Sequence, residues 1–171
     1  METLDATNQV TYRQAIETDL PAVAAMYDKL DQLLRQYPYH FPEVKNVGTL
    51  WLDIFRRTLG RFSVVYLAEY QGEIVGFILA RVKRVPEYLG GVMVGELKDM
   101  WVEHKVRRLG IGEKLLRLAI EWCQDQKVHS LEAQILVGND PIIKLVDSLG
   151  MKPELYQMRL SWENYQAEAQ E

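Results

Sequence analysis

Apolar residues along this chain recur in two rhythms, at every second position and at every third or fourth, and the switches between them predict its elements in order. Residues 10–16 (VTYRQAI) alternate as a strand does. Thr18 and Pro21 then mark a helix start, and Val23, Tyr27, Leu30 and Leu34 share one face of a helix that must stop before Pro38. The stretch 37–46 (YPYHFPEVKN) holds two prolines and three aromatics and reads as a loop. A second helix is expected over 47–59, with Leu50, Ile54 and Thr58 at helical spacing and Gly60 to end it. Residues 62–70 and 74–85 are β-prone runs joined by a hairpin at Gln71-Gly72-Glu73.

After a loop at 86–91 (PEYLGG), Val92, Val94, Leu97, Met100, Trp101 and Val102 favour another strand. Residues 113–126 (EKLLRLAIEWCQDQ) return to the helical rhythm through Leu116, Ala119, Ile120 and Cys123. A strand follows at 130–137 (SLEAQILV), then a helix with Asp140 as N-cap and Pro141 at its first position, ending at Gly150. The run 155–162 (LYQMRLSW) reads as a last strand. The order βααβββαβαβ is that of an α/β (α+β) mixed sheet with helices on both faces. One domain is expected over 10–162, with short polar tails at 1–9 and 163–171.

Composition narrows the class. The chain has 171 residues, 48% of them hydrophobic and 26% charged, and no apolar run approaches the ~20 residues a membrane-spanning helix needs. The start, METLDATNQV, lacks the basic residues and apolar core of a secretory signal, so a cytoplasmic protein is expected. A net charge of −4 argues against general nucleic-acid binding. Against that acidic background Lys105, Arg107, Arg108, Lys114 and Arg117 form a local basic cluster. The single cysteine, Cys123, falls on the apolar side of its helix, where a buried thiol and a nucleophile are both open readings.

The basic cluster surrounds the chemically informative stretch, GELKDMWVEHKVRRLGIG at 95–112, in which a strand and a helix are joined by a loop carrying Gly110 and Gly112. The first N–H groups of a helix have no partner within it and the helix dipole adds positive potential, so such a junction suits an anion such as a phosphate. A dinucleotide fingerprint would need a third glycine where Leu115 stands, and a phosphate loop of the Gly-Lys-Ser/Thr type occurs nowhere.

Arg107-Arg108-Leu109-Gly110-Ile111-Gly112 matches the pattern R/Q-x-x-G-x-G/A, and with the strand before it, the helix after it and the downstream NDPIIKLVDSLGMKPE the chain resembles the GNAT superfamily of acyl-CoA-dependent N-acetyltransferases over 10–162. The resemblance implies a mostly antiparallel central sheet in which two adjacent strands splay to admit acetyl-CoA, with no metal. The pyrophosphate would lie on backbone N–H groups of Arg107, Arg108, Leu109, Gly110, Ile111, Gly112 and Glu113. Val102 would offer its backbone to the pantetheine arm, Asn139 its side chain, and Met100 its N–H to the thioester carbonyl. The first two helices would wall the acceptor site, within reach of Tyr37, Tyr39, His40 and Phe41. The acceptor would be a primary amine of a small molecule or a protein, and a homodimer is a further possibility for the family.

An alkylammonium of pKa near 10.4 costs about 4.6 kcal/mol to deprotonate at pH 7, so direct transfer in a ternary complex calls for a base. Glu96 stands eleven residues before Arg107, where the resemblance puts a general-base glutamate, and Asp99 beside Met100 is the competing carboxylate. The tyrosine that many family members use to protonate the departing thiolate is Val146 here, leaving Tyr156 or water for that step. Two other readings stay open: an acyl-CoA-binding module without catalysis, and a route in which Cys123 carries the acyl group.

Overall fold

A computed structural model describes residues 9–39 and 41–162. Five strands lie in one sheet in chain order: β1 (Val10–Gln14), β2 (Ser63–Tyr70), β3 (Glu73–Arg84), β4 (Met93–Val102) and β5 (Ser130–Ala133). The first four pair antiparallel and β5 pairs parallel to β4, so the sheet is mostly antiparallel, as expected. Among the described residues four helices complete the α+β arrangement: α1 (Leu20–Leu34), α2 (Val47–Arg56), α3 (Ile111–Asp125) and α4 (Asp140–Ser148).

The helices cover both faces. On one, Val23, Leu30, Trp51 and Phe55 of α1 and α2 pack on Val65, Leu67, Phe77, Leu79 and Trp101 of the sheet. On the other, Ile111, Leu115, Ala119 and Cys123 of α3 pack on Val64, Ile78, Ala80 and Leu97. Two glycines allow the close approaches. A Cβ on Gly48 would stand 2.0 Å from the Ala24 carbonyl oxygen, so α2 crosses α1 backbone to backbone, and the Gly48 N–H donates to Asp28 at 2.8 Å. A Cβ on Gly95 would stand 2.8 Å from Cys123 Sγ, which lets α3 lie directly on β4.

Three expectations need correction. The face of α2 that packs is Gly48, Trp51, Leu52 and Phe55, whereas Leu50 and Ile54 point to solvent, because only the glycine side can reach α1. The N-cap of α4 is Asn139, with Asp140 already helical. The last strand does not form: residues 151–161 have no regular structure, and β5 ends at Ala133 instead of continuing to 137. A strand exists only where a neighbour takes up its N–H and C=O groups, and apolar alternation alone supplies no neighbour.

Gly48→Ala should destabilise the protein by about 3 kcal/mol, since the clash is with backbone and no side chain can move aside. Urea denaturation would check it, and an unchanged midpoint would contradict the packing described.

Candidate active site

The site is built on β4, whose pairing changes along its length. Its first half is paired on both sides, with β3 and with β5, but the parallel ladder to β5 ends at Leu97↔Ala133. A narrow crevice opens there between Leu97, Lys98, Ala133 and Gln134. At the same level Lys98 is an extra residue: Leu97 pairs with Ala80 and Asp99 with Leu79, leaving it in a bulge. The bulge resets the alternation of side chains. Glu96 and Asp99, three apart, therefore both face α1 and α2, while Leu97 and Met100 face α3.

Sharing a face does not give the two carboxylates the same surroundings. Glu96 is buried in a row that crosses the sheet, with Arg81 opposite on β3 and Glu132 opposite on β5. Arg81 Nε donates to one carboxylate oxygen and Lys83 Nζ to the other at 2.7 Å, and Lys83 also bridges to Glu132. Burial opposes ionisation of Glu96, but these hydrogen bonds outweigh it and hold the carboxyl down at about 2. Among the described residues Asp99 has no cation in direct contact. It accepts a hydrogen bond from Trp51 Nε1 at 2.8 Å, and Trp51 is stacked on Tyr27 with centroids 4.3 Å apart. Burial raises the Asp99 carboxyl above the ordinary aspartate value against the opposing effects of the indole N–H and of the Lys98 and Arg81 charges acting through space. Tyr27 is raised as well, first by burial and then by the Asp99 charge.

Beyond Val102 the chain makes one short helical turn, His104–Val106, and enters the glycine loop. Buried Val106 and Ile111 pin the loop at its two ends. Between them Arg108 (φ 68°) and Gly110 (φ 75°) take left-handed conformations, and nothing lies within 4 Å of where a Gly110 Cβ would be. The first helical hydrogen bond runs from the Lys114 N–H to the Gly110 carbonyl, 3.0 Å, so the amides of Ile111, Gly112 and Glu113 come before any helical acceptor. Leu109 is partly buried against the α3 side, and the Met100 side chain lies under Gly112, 3.6 Å from where a Cβ would be. Arg107 is turned back on the protein: its Nε donates to the Val102 carbonyl at 2.9 Å, and its guanidinium lies 4.8 Å from the centre of the Trp101 ring.

Asn139 sits at the start of α4, and its amide oxygen accepts a long hydrogen bond, 3.4 Å, from the Tyr37 hydroxyl. This links the loop after α1 to the loop after β5. Tyr39 packs edge-on to Phe41, and His40 lies outside the described residues. Val146 is buried in the α4 interface, and Tyr156 is 84% exposed and touches neither candidate carboxylate. Cys123 is fully buried and its thiol is pushed up to about 11 by burial, which removes it as a nucleophile. Among the described residues no group of three or more His, Cys, Asp or Glu is placed to hold a metal, and no helix is long and apolar enough to cross a membrane.

The chain that carries this bulged strand and glycine loop has relatives among known proteins. The family model described as Acetyltransferase (GNAT) family matches residues 25–151. The chain belongs to the GNAT acetyltransferase family. An N-alpha-acetyltransferase of Sulfurisphaera tokodaii is 28% identical over 129 residues, which is 70% of this chain and 68% of that one. Two solved structures share the fold: a predicted acetyltransferase with acetyl-CoA from Clostridium acetobutylicum, and an aminoglycoside acetyltransferase from an uncultured soil metagenomic sample. The first has a TM-score of 0.72 at 16% identity, covering 91% of this chain and 97% of that one. The second has a TM-score of 0.65 at 16% identity, covering 90% and 97%. This GNAT protein is thus an acyltransferase enzyme, in a family that uses acetyl-CoA.

Sequence reasoning missed Trp51, the partner of Asp99, and Arg81 and Lys83, the partners of Glu96. Gly48, Trp51 and Phe55 at helical spacing carried a signal for the first; the other two needed the strand register.

Glu96 has a folded-state pKa below its ordinary 4.5, so its ion pairs stabilise the protein fully above that value, and the contribution is lost as pH falls towards about 2. Glu96→Gln should therefore lower the urea midpoint at neutral pH, with the gap to the parent closing between about 4.5 and 2. A gap independent of pH would contradict the ion-pair account.

Proposed function

We propose that this GNAT enzyme transfers the acetyl group of acetyl-CoA to a primary amine, directly and without an acyl-enzyme, with Asp99 as the general base. The observation that carries the reading is the position of Asp99: a carboxylate with no cation in direct contact among the described residues, one residue past the bulge where β4 loses its β5 neighbour, on the strand that runs into the glycine loop.

The residues fit the cosubstrate. The backbone amides from Arg108 through Glu113 would hold the pyrophosphate, with Gly110 keeping its side open; Arg107 supports the loop through the Val102 carbonyl, and its side chain stays off the anion. Val102 and Asn139 would take the pantetheine arm. Acetyl-CoA brings an activated thioester, and the protein has two further tasks. Asp99 accepts the ammonium proton, for which a pKa above the usual aspartate value makes it a stronger base than Glu96. The Met100 N–H, next along the strand, would steady the negative charge that develops on the carbonyl oxygen. Glu96 then keeps β3, β4 and β5 aligned through Arg81 and Lys83. With Val146 in place of a tyrosine, the departing thiolate would take its proton from water.

For the acceptor, the relative described as an N-alpha-acetyltransferase favours the α-amine of a polypeptide. A panel of N-terminal peptides, polyamines and aminoglycosides, assayed for thiol release from acetyl-CoA, tests this; transfer only to non-peptide amines would overturn the α-amine assignment.

Asp99→Asn should reduce kcat/KM about 10²–10⁴-fold, with coenzyme A affinity nearly unchanged. Because the base acts deprotonated, kcat/KM of the parent should fall as pH drops through a value above that of ordinary aspartate, and this limb should vanish in Asp99→Asn. Equal rates in parent and variant would remove Asp99 from the mechanism.

Gly110→Ala places a Cβ on a left-handed residue, a strain of about 1–2 kcal/mol, and should weaken coenzyme A binding about tenfold or more by calorimetry. Parent-like affinity would count against the loop as the phosphate cradle.

A further inference from the structure

The indole that touches Asp99 is itself clamped among aromatic rings. Trp51 is 6% exposed, stacked on Tyr27 of α1 at 4.3 Å with the planes 17° apart, and it meets Phe55 and Phe77 at 5.4 and 5.7 Å between ring centres. A flat ring packed in this way has no room to turn. Its Nε1–H therefore keeps one direction, and that direction meets Asp99 Oδ2 at 2.8 Å. The helix beneath it is fixed as well: Gly48, nearly one turn earlier, lets α2 lie against the α1 backbone, and Asp28 accepts from the Gly48 N–H at 2.8 Å. Phe55 and Phe77 fill the same layer without any donor, so apolar packing alone does not call for an indole at this position.

The two oxygens of Asp99 are thereby made unequal. Oδ2 accepts the indole N–H, while Oδ1 has no hydrogen bond among the described residues. The charged and titratable groups around the carboxyl act only through space: Arg81 from β3 and Lys98 from β4 favour its ionised form, and Tyr27 from α1 feels its charge.

Taking Asp99 as the base, on which this rests, we propose that Trp51 is its positioning residue: the indole N–H holds Oδ2 in place and reserves Oδ1 for the acceptor ammonium. In the proton transfer an N–H bond of the ammonium breaks and an O–H bond forms at Oδ1, which leaves the electron pair on nitrogen as the nucleophile. Trp51 touches neither the amine nor the thioester. Burial and the indole pull the carboxyl in opposite directions, one strengthening the base and the other keeping it deprotonated in the resting enzyme. Through Trp51, the helix expected to wall the acceptor also holds the group that activates it.

Trp51→Phe keeps a ring in the stack and removes the donor. The acid limb of kcat/KM should move to higher pH, so that on its acid side the variant is about tenfold slower than the parent, the worth of one hydrogen bond to a charged group, with the gap narrowing as pH rises. A loss of equal size at every pH would mark a purely structural role and overturn the proposal, as would an unmoved limb. Nuclear magnetic resonance of the isotope-labelled parent supplies a reading that does not depend on the variant or on turnover. Of the indole N–H signals of its four tryptophans, one should follow pH with the midpoint of the limb, because kcat/KM reports the free enzyme. That signal should be missing from Trp51→Phe and stand still in Asp99→Asn. Indole signals indifferent to pH across the limb would overturn the proposal. Loss of the limb in Asp99→Asn without a shift in Trp51→Phe rejects Trp51 alone, whereas a limb that survives in Asp99→Asn rejects the base assignment beneath it.

Discussion

The rest of the structure depends on a shortage of hydrogen-bond partners along β4. Up to Leu97 it is paired on both sides; after Leu97 the ladder to β5 stops among the described residues while the β3 side continues to Gly76↔Val102. Unpaired backbone groups in a half-buried setting must find other partners. In this fold they stand beside the loop that contributes the unpaired amides at the start of α3. Two separate deficits, one at a strand and one at a helix end, are thus set next to each other, and an extended ligand ending in a diphosphate would satisfy both.

The two carboxylates on β4 show how environment divides chemically similar groups. Glu96 faces two cations and becomes part of the framework; Asp99 accepts a hydrogen bond from an indole that is itself packed on two other aromatic rings, with no cation in direct contact. The bulge at Lys98 makes this division possible. Without it, side chains three apart on a strand would point to opposite faces, and Asp99 would be driven into the α3 core.

The glycine loop was legible in the sequence because its information is local: two glycines, a strand before and a helix after, all within 18 residues. The cross-sheet row of Arg81, Glu96 and Glu132 was not, since it exists only once the register is set. The choice of base therefore rested on spacing from Arg107, which pointed first to Glu96. The hydrogen bond from Trp51 to Asp99 spans 48 residues and depends on which side of α2 faces in. The apolar pattern of α2 was ambiguous there because Leu50 and Ile54 are spaced as helically as Trp51 and Phe55; the glycine decided it. The last predicted strand failed for the opposite reason, in that its local pattern was good but the chain does not bring it into register with another strand.

Cys123 closes a different question. Its sulfur is wedged between α3 and the bare backbone of Gly95, with no solvent exposure and a thiol held well above neutral pH in its ionisation. Alkylating and thiol-labelling reagents act on the thiolate and need access to it. The folded enzyme therefore presents no reactive sulfhydryl of its own, and a single cysteine placed anywhere on its surface would be a unique attachment point for a fluorophore or spin label.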